Sequence, residues 1–443
     1  MHDILNLPLR ALVARMAQRD VSAEAVTRAC IERIEANADL QAWQFFDAEL
    51  ALQQARRLDA GPAGGALHGA PVGVKDLMDT ADMPTTYGSA LYAHHRPRTD
   101  AACVAASRTA GAIIMGKTVS TEFASFQAGP TRNPHSTPEA PHTPGGSSSG
   151  SAAAVAAGMV PLAFATQTAG SIVRPAAYCG IVGYKPSHGT LPLAGIKSLA
   201  PSLDTVGVLA RSVDDAAFFV GALARLPQLQ HLPAAGIGRL RVGICRTPHW
   251  QRADSDTVGA LAAAARLLEQ AGAVLFDLAL PAACNGLTAA QIEIMNYEAS
   301  AAFAPEAATN SAGFSNAFQA LLAAGRAIDG ASYFAAQKLA LQARQAFDAL
   351  FEMQSGGGVV DIVLAPSTEG AAPAGLDATG DPVFNRMWSL LGNPCVHVPL
   401  GPNAAGMPLG VTLIGPRWGD ALTLAAALEL ERCHQRSGSS RPD

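Results

Sequence analysis

Short apolar segments alternate along this chain with segments of helical spacing. Three segments, 71–75, 112–116 and 361–365, are mainly apolar and have the length of a strand. The segments between them have apolar residues at helical spacing or are rich in alanine. Buried strands that alternate with helices are typical of α/β proteins. The pattern predicts a central mixed β-sheet covered on both faces by helices, in a single domain over residues 1–443.

Composition narrows the classes of function. Of the 443 residues, 49% are hydrophobic and 15% are charged, and the formal net charge is -5. These values are those of an ordinary globular protein and give no basic field for nucleic acid. The seven cysteines are odd in number and include no CxxC pair, so neither a disulfide framework nor a zinc site is expected. A reducing cytoplasm suits them best.

The chain also lacks the pattern of a membrane or secretory protein. Charges lie close to every apolar stretch of residues 1–20, and no apolar run is long enough to span a bilayer. We therefore expect a cytoplasmic protein without a membrane partner.

Three segments place reactive polar side chains where a reason is needed. Lys75 ends the apolar segment GAPVGVKD, either as a surface lysine or as a base whose pKa is lowered by burial. TPGGSSSGSAAAVAAG (143–158) leads serines into a helix N-terminus, as a plain linker or as a binding loop. In ATQTAGSIVRPAAYCG (165–180), small residues before Ser171 favour either a simple turn or an oxyanion hole.

Together these segments resemble the amidase signature family, and the resemblance extends over nearly the whole chain. The lysine of that family lies in a PxxVKD segment, matched by residues 71–76, and its bridging serine is the first after paired glycines, here Ser147. The nucleophile follows 24 residues later, at Ser171. YCGIVGYKPSHG (178–189) and LDTVGVLARSVDD (203–215) continue the resemblance.

The resemblance implies an amidase fold and a Ser-Ser-Lys triad. Neutral Lys75 would take a proton from Ser147 while Ser147 takes one from the nucleophile Ser171. Main-chain N–H groups would stabilise the oxyanion, and water would then hydrolyse the acyl-enzyme. The implied reaction converts a small-molecule carboxamide to acid and ammonia without metal or cofactor. The implied oxyanion hole consists of Thr168, Ala169, Gly170 and Ser171.

Some positions depart from the usual family pattern. Gln167 and Ala169 lie within a motif that is commonly TDTGGS, and Ser149 within one that is commonly GGSSGGS. Arg174 follows the nucleophile by three residues, and together with GDPVFNRMWSLLGNPCV (380–396) it resembles the malonamidase branch. In that branch the corresponding arginine holds a substrate carboxylate. The alternative for Arg174 is a structural ion pair.

Arg211, in VLARSVDD, is a further cationic residue that could add positive charge to the site. Its spacing favours instead an ion pair with Asp214 or Asp215.

Two other functions stay open. GSSSG (146–150) matches the GxSxG motif, and the order Ser148, Asp361, His397 is that of an α/β-hydrolase esterase, although no strand precedes Ser148. The chain could also be a subunit similar to the aminoacyl-tRNA amidotransferase, which works with companion chains, but TQTAGSIVRP favours a stand-alone enzyme. A homodimer is left open. The physiological substrate is not predicted, because 285–350 indicates only helical scaffold.

Overall fold

The computed structural model describes residues 2–232, 239–351 and 359–439. In these ranges eleven strands form one sheet in the order β1-β3-β2-β4-β6-β5-β10-β11-β9-β7-β8. The strands are β1 Trp43–Phe46, β2 Pro71–Lys75, β3 Ile113–Thr118, β4 Leu162–Gln167, β5 Val182–Lys185, β6 Thr205–Ala210, β7 Arg241–Ile244, β8 Val274–Asp277, β9 Ile362–Pro366, β10 Cys395–Pro402 and β11 Pro408–Ile414. Both parallel and antiparallel pairs occur, so the predicted mixed sheet is confirmed.

Fifteen α-helices of the described ranges flank this sheet, which confirms the α/β class. They are α1 Leu9–Ala17, α2 Ala23–Ala36, α3 Ala48–Ala60, α4 Ala102–Thr109, α5 Ser149–Ala156, α6 Val173–Cys179, α7 Val213–Ala224, α8 Pro227–Gln230, α9 Ser255–Gln270, α10 Leu287–Ala302, α11 Ala304–Asn310, α12 Asn316–Arg326, α13 Gly330–Asp348, α14 Arg386–Leu391 and α15 Asp420–Ser439. No helix in the described part of the chain has both the length and the apolar character that a membrane span requires.

Strands β2, β3 and β4 run parallel to one another, with β2 in the middle. All of their residues are buried, as expected for parallel strands covered on both faces. Their carboxyl ends meet at the same edge of the sheet, where Lys75 ends β2 and Gln167 ends β4. This edge is where ligands bind in many α/β proteins.

Two segments differ from or exceed what the sequence predicts. The expected surface connection at 226–238 contains the short helix α8, whose Leu229 is buried, and residues 233–238 lie outside the described residues. Most of the turn expected at 355–360 also lies outside them, but the strand that follows it is β9.

The region 285–350 is helical, as predicted, and forms a layer beside the site. Phe303 and Phe318 on this layer pack their rings against Phe123, with centroids 4.7 and 5.0 Å from the Phe123 centroid. Phe123 lies in the loop that follows β3, so these aromatic contacts fix the layer against the edge of the sheet.

Candidate active site

Lys75 is the innermost polar group of the site, with a side chain that is 0% exposed. Its Nζ lies 2.8 Å from Ser147 Oγ and 2.8 Å from Thr166 Oγ1. Burial lowers the Lys75 pKa well below its ordinary value, the Asp204 charge opposes that change, and the Arg174 charge adds to it. Because both neighbours of Nζ are hydroxyls, the amine is held in place without a carboxylate that would favour its charged form.

Ser147 and Ser148 are adjacent but contact different groups. Ser147 Oγ contacts Lys75, and the carbonyl oxygen of Ser147 accepts a hydrogen bond from Thr121 N–H at 3.1 Å. Ser148 Oγ donates to the carbonyl oxygen of Ser171 at 2.6 Å. The Gly146–Ser147 peptide bond is cis, and α5 begins immediately afterwards. The glycine–serine segment is therefore a loop that connects the lysine to the Ser171 backbone.

Ser171 lies in a tight loop between β4 and α6 and is 6% exposed. Gln167 Oε1 accepts hydrogen bonds from Ile172 N–H at 2.9 Å and from Val173 N–H at 3.1 Å. These are main-chain donors at the start of α6, so the glutamine that departs from the family pattern holds the loop in shape.

The main-chain N–H groups of Ala169, Gly170 and Ser171 have no acceptor among the described residues. A Cβ at Gly170 would lie 2.5 Å from Asn385 Oδ1, so this position requires glycine. Free donors in a compressed loop next to a serine are what an oxyanion hole needs.

Asp204 is a site residue that sequence reasoning missed. Its carboxylate accepts hydrogen bonds from Thr168 Oγ1 and from Ser198 Oγ, the latter at 2.6 Å. Main-chain N–H groups of Leu199 and Ala200 also donate to it. Burial raises the Asp204 pKa while these hydrogen bonds lower it. The block that contains Asp204 carried the family resemblance, but nothing in its spacing indicated contact with the serine loop.

Arg174 is buried beside the serine loops. Its Nη1 donates to the carbonyl oxygen of Gly380 at 2.6 Å, and its Nη2 donates to that of Gly146 at 2.7 Å and to Thr379 Oγ1 at 3.2 Å. Burial lowers the Arg174 pKa to about 10. The alternative of a structural ion pair is therefore wrong for the described residues, because the guanidinium is held by oxygen atoms of uncharged groups. Contact with a substrate stays a prediction.

The predicted ion pair of Arg211 is also wrong. Its guanidinium donates to the carbonyl oxygens of Leu5 and Leu7, the latter at 2.9 Å. Asp215 instead accepts a hydrogen bond from Leu9 N–H at 2.7 Å, and Asp214 pairs with Arg10 at 3.4 Å. Arg211 thus fastens the N-terminal segment and has no contact with the serine loops, because these main-chain oxygens occupy its donors.

The structure does not assemble the esterase triad. Ser148 donates to the Ser171 carbonyl, and Asp361 pairs with Arg241 at 2.8 Å. His397 Nδ1 lies 2.7 Å from Ser367 Oγ, and burial lowers the His397 pKa to about 3. Each of the three side chains is committed to a different partner.

Two further polar residues reach the serine loop from distant parts of the sequence. Gln291, on α10, donates from Nε2 to the carbonyl oxygen of Thr168 at 3.1 Å and accepts at Oε1 from Arg386 Nη1 at 2.6 Å. Next to Arg386, Met387 lines a largely apolar cavity of about 330 Å³ together with Leu287 and other residues of the α10 region. No local signal in the sequence indicated this contact between α10 and α14.

Comparison with known proteins agrees with this site. The family model described as Amidase matches residues 25–424. The chain is 32% identical to the A-type subunit of the glutamyl-tRNA(Gln) amidotransferase of Cereibacter sphaeroides, over 94% of this chain and 95% of that protein. The structure of the native peptide amidase from Stenotrophomonas maltophilia is also similar, with a TM-score of 0.82, 29% identity, and coverage of 100% of this chain and 99% of that one. The chain therefore belongs to the Amidase family.

Proposed function

We propose that this protein is a serine amidase that hydrolyses a small-molecule carboxamide through Lys75, Ser147 and Ser171. The observation that carries the proposal is the fully buried Lys75 amine, which lies 2.8 Å from Ser147 Oγ. Burial lowers the pKa of this lysine, so its neutral form, which is a base, is favoured.

In the proposed reaction, Lys75 Nζ accepts the Ser147 proton as Ser147 Oγ accepts the proton of Ser171. The Ser171 oxygen forms a bond to the amide carbon, and the carbonyl oxygen becomes an oxyanion. Ser147 next returns a proton to the nitrogen, the C–N bond breaks, and ammonia leaves. Water, deprotonated by the same relay, then hydrolyses the acyl-enzyme and releases the acid.

The proposed oxyanion hole consists of the main-chain N–H groups of Thr168 to Ser171. The absence of acceptors for three of these N–H groups among the described residues supports this role. Loss of one oxyanion donor costs about 2.7–4 kcal/mol in comparable enzymes. Asp204, which holds Thr168, would preserve the shape of this loop.

For Arg174 we propose a place in the substrate pocket, in the manner of the malonamidase branch. Its hydrogen bonds to Gly146 and Gly380 hold two loops at the site, and its positive charge contributes to lowering the Lys75 pKa. We further propose that residues 1–443 form one amidase domain, which the single sheet from Trp43 to Ile414 supports.

Ammonia release from a panel of simple amides tests the proposed function. We expect Ser171→Ala to abolish release and Ser148→Ala to retain much of it, because Ser148 contacts only main-chain oxygens in the described residues. The two serines are matched controls, since both are buried and hydroxyl-bearing. An inactive Ser148→Ala enzyme with an active Ser171→Ala enzyme would contradict the proposal.

A second candidate is a component of an aminoacyl-tRNA amidotransferase, favoured by the 32% identity to the Cereibacter sphaeroides protein. Such a component would need companion chains for activity. Ammonia release by the purified chain alone supports the stand-alone amidase, whereas release that requires added companion chains supports the second candidate.

A further inference from the structure

Arg386 begins the short helix α14, which packs directly against the serine loop. Ser389, on the same helix, donates from Oγ to the carbonyl oxygen of Ala169 at 2.7 Å and accepts from Gln167 Nε2 at 3.0 Å. Asn385, which precedes Arg386, is the residue that leaves no room for a side chain at Gly170. The α14 segment is thus part of the wall of the proposed active site.

The Arg386 side chain is 9% exposed and is held on two sides. Nη1 donates to Gln291 Oε1 at 2.6 Å, and the guanidinium carbon lies 5.5 Å from the centroid of the Phe126 ring. Because Gln291 also donates to the carbonyl oxygen of Thr168, the guanidinium is one residue removed from the proposed oxyanion loop. These contacts fix its direction without neutralising its charge.

The charge of Arg386 is not compensated in the described part of the chain. Its Nε and Nη2 have no hydrogen-bond partner there, and no carboxylate forms an ion pair with it. Asp381 is the acidic group whose charge acts on it, but that carboxylate pairs with Arg252 at 3.3 Å. Burial lowers the Arg386 pKa. A buried cation without a partner is costly, and an anionic ligand would remove that cost.

Arg174 offers a contrast within the same site. Both of its Nη atoms donate to oxygens of the protein frame, and its Nε is buried without a partner among the described residues. The charge of Arg386 contributes to lowering the Arg174 pKa, so the two cations repel each other. An anion bound at Arg386 would relieve this repulsion as well, but Arg386 alone has two nitrogens left for it.

We propose that Arg386 binds a carboxylate group of the substrate, and that the enzyme prefers small amides that carry a carboxylate. This inference rests on the proposed hydrolysis at Ser171. It assigns carboxylate recognition to Arg386 by direct contact, and leaves to Arg174 the positioning of the loops. The planar guanidinium can donate from Nε and Nη2 to both oxygens of one carboxylate.

Kinetics with matched substrates test the assignment. Malonamate and succinamate are compared with propionamide and butyramide, and the ratio of kcat/KM for charged over neutral amides is measured in each enzyme. In Arg386→Met we expect this ratio to fall about ten-fold or more, as for a lost charged hydrogen bond. Arg174→Met is expected to lower kcat/KM for both kinds of amide by similar factors. A ratio that changes only in Arg174→Met would overturn the proposal.

Two more variants guard against simple misfolding of Arg386→Met. Gln291→Glu places a carboxylate on Arg386 Nη1 and is expected to lower the ratio by competing with the substrate. Arg344→Met is the matched control, because Arg344 is a half-buried arginine that donates to the carbonyl oxygens of Leu390 and Leu391 at the other end of α14. Its ratio should equal that of the wild type. A wild-type ratio in Gln291→Glu would count against the proposal.

Binding of malonate separates this inference from the proposed function, since binding requires no catalysis. Calorimetric titration of Ser171→Ala with malonate should give an affinity about ten-fold higher than that of Ser171→Ala/Arg386→Met. If the wild type releases no ammonia and malonate affinity still depends on Arg386, the proposed function fails and the carboxylate site stands. Equal malonate affinities in the two proteins, or no binding to either, would overturn the carboxylate site.

Discussion

The adjacent strands β2 and β3 each carry a buried lysine near their carboxyl ends, but the two lysines have different surroundings. Lys117 forms an ion pair with Asp76 at 3.0 Å and also donates to Thr85 Oγ1 at 2.6 Å. Lys75 has the hydroxyls of Ser147 and Thr166 as its neighbours. Lys75 is paired with Thr118 rather than Lys117 in the register, so the two side chains point to opposite faces of the sheet.

This difference shows how one fold can hold a structural and a reactive lysine side by side. Burial lowers the pKa of both amines, but the Asp76 carboxylate opposes this effect for Lys117. At Lys75 the more distant Asp204 charge opposes it, and the Arg174 charge reinforces it. The charged form is therefore favoured at Lys117 relative to Lys75. Only the face of β2 that carries Lys75 is expected to take part in proton transfer.

The largest expected effect is on activity, from Lys75→Met. Removal of a general base typically lowers the rate by about 10²–10⁴-fold. We expect kcat to fall by this factor in ammonia release, with little loss of unfolding free energy, because no buried carboxylate loses its partner. Lys117→Met that remains folded is the control and should keep most of its kcat. A Lys75→Met enzyme within a few-fold of the wild type would end the distinction between the two lysines.

The next effect is on stability, from Lys117→Met. Asp76 would be left as a buried charge without its cation, which typically costs about 3–5 kcal/mol. Urea unfolding should show this decrease in free energy, and Asp76→Asn combined with Lys117→Met should recover part of it. Equal stability of the single and double variants would mean that the pair contributes as packing and not as an ion pair.

A smaller effect should appear in the pH dependence of stability. The folded-state pKa of Lys75 is lowered, so between that value and the unfolded value of about 10.4 only the unfolded chain binds the proton. The unfolding free energy should therefore fall as pH falls through this window, by at most about 1.4 kcal/mol per pH unit from this group. Lys75→Met should lack this contribution.

The measurement is the difference in unfolding free energy between Lys75→Met and wild type at a series of alkaline pH values. We expect Lys75→Met to gain relative stability as pH decreases. A difference that is constant with pH would mean that the Lys75 pKa is not lowered.

The parts of the molecule that could be predicted from sequence depend on local patterns. Apolar runs of strand length predicted β2, β3 and β9, and the serine N-cap at Ser22 accepts a hydrogen bond from Ala25 N–H as expected. Lys75 and Ser147 could be brought together in advance because they lie in segments with family-specific spacing, and the structure places them 2.8 Å apart.

The parts that could not be predicted depend on contacts between distant segments. Gln291 and Arg386 are 95 residues apart, and each lies in a helix whose spacing indicates only scaffold. The partners of Arg174 are likewise carbonyl oxygens at Gly146 and Gly380, 28 and 206 residues away. A carbonyl oxygen belongs to every residue, so no side-chain pattern in the sequence indicates which ones will serve as acceptors.

The identity of the nucleophile is the claim on which the account depends, and covalent labelling tests it most directly. The protein is treated with a fluorophosphonate that modifies activated serines, and the modified peptide is located by mass spectrometry. We predict one adduct, on Ser171, in the wild type and in Ser148→Ala, with much slower labelling in Lys75→Met and no adduct in Ser171→Ala. An adduct on Ser148, or labelling that persists in Ser171→Ala, would contradict the account.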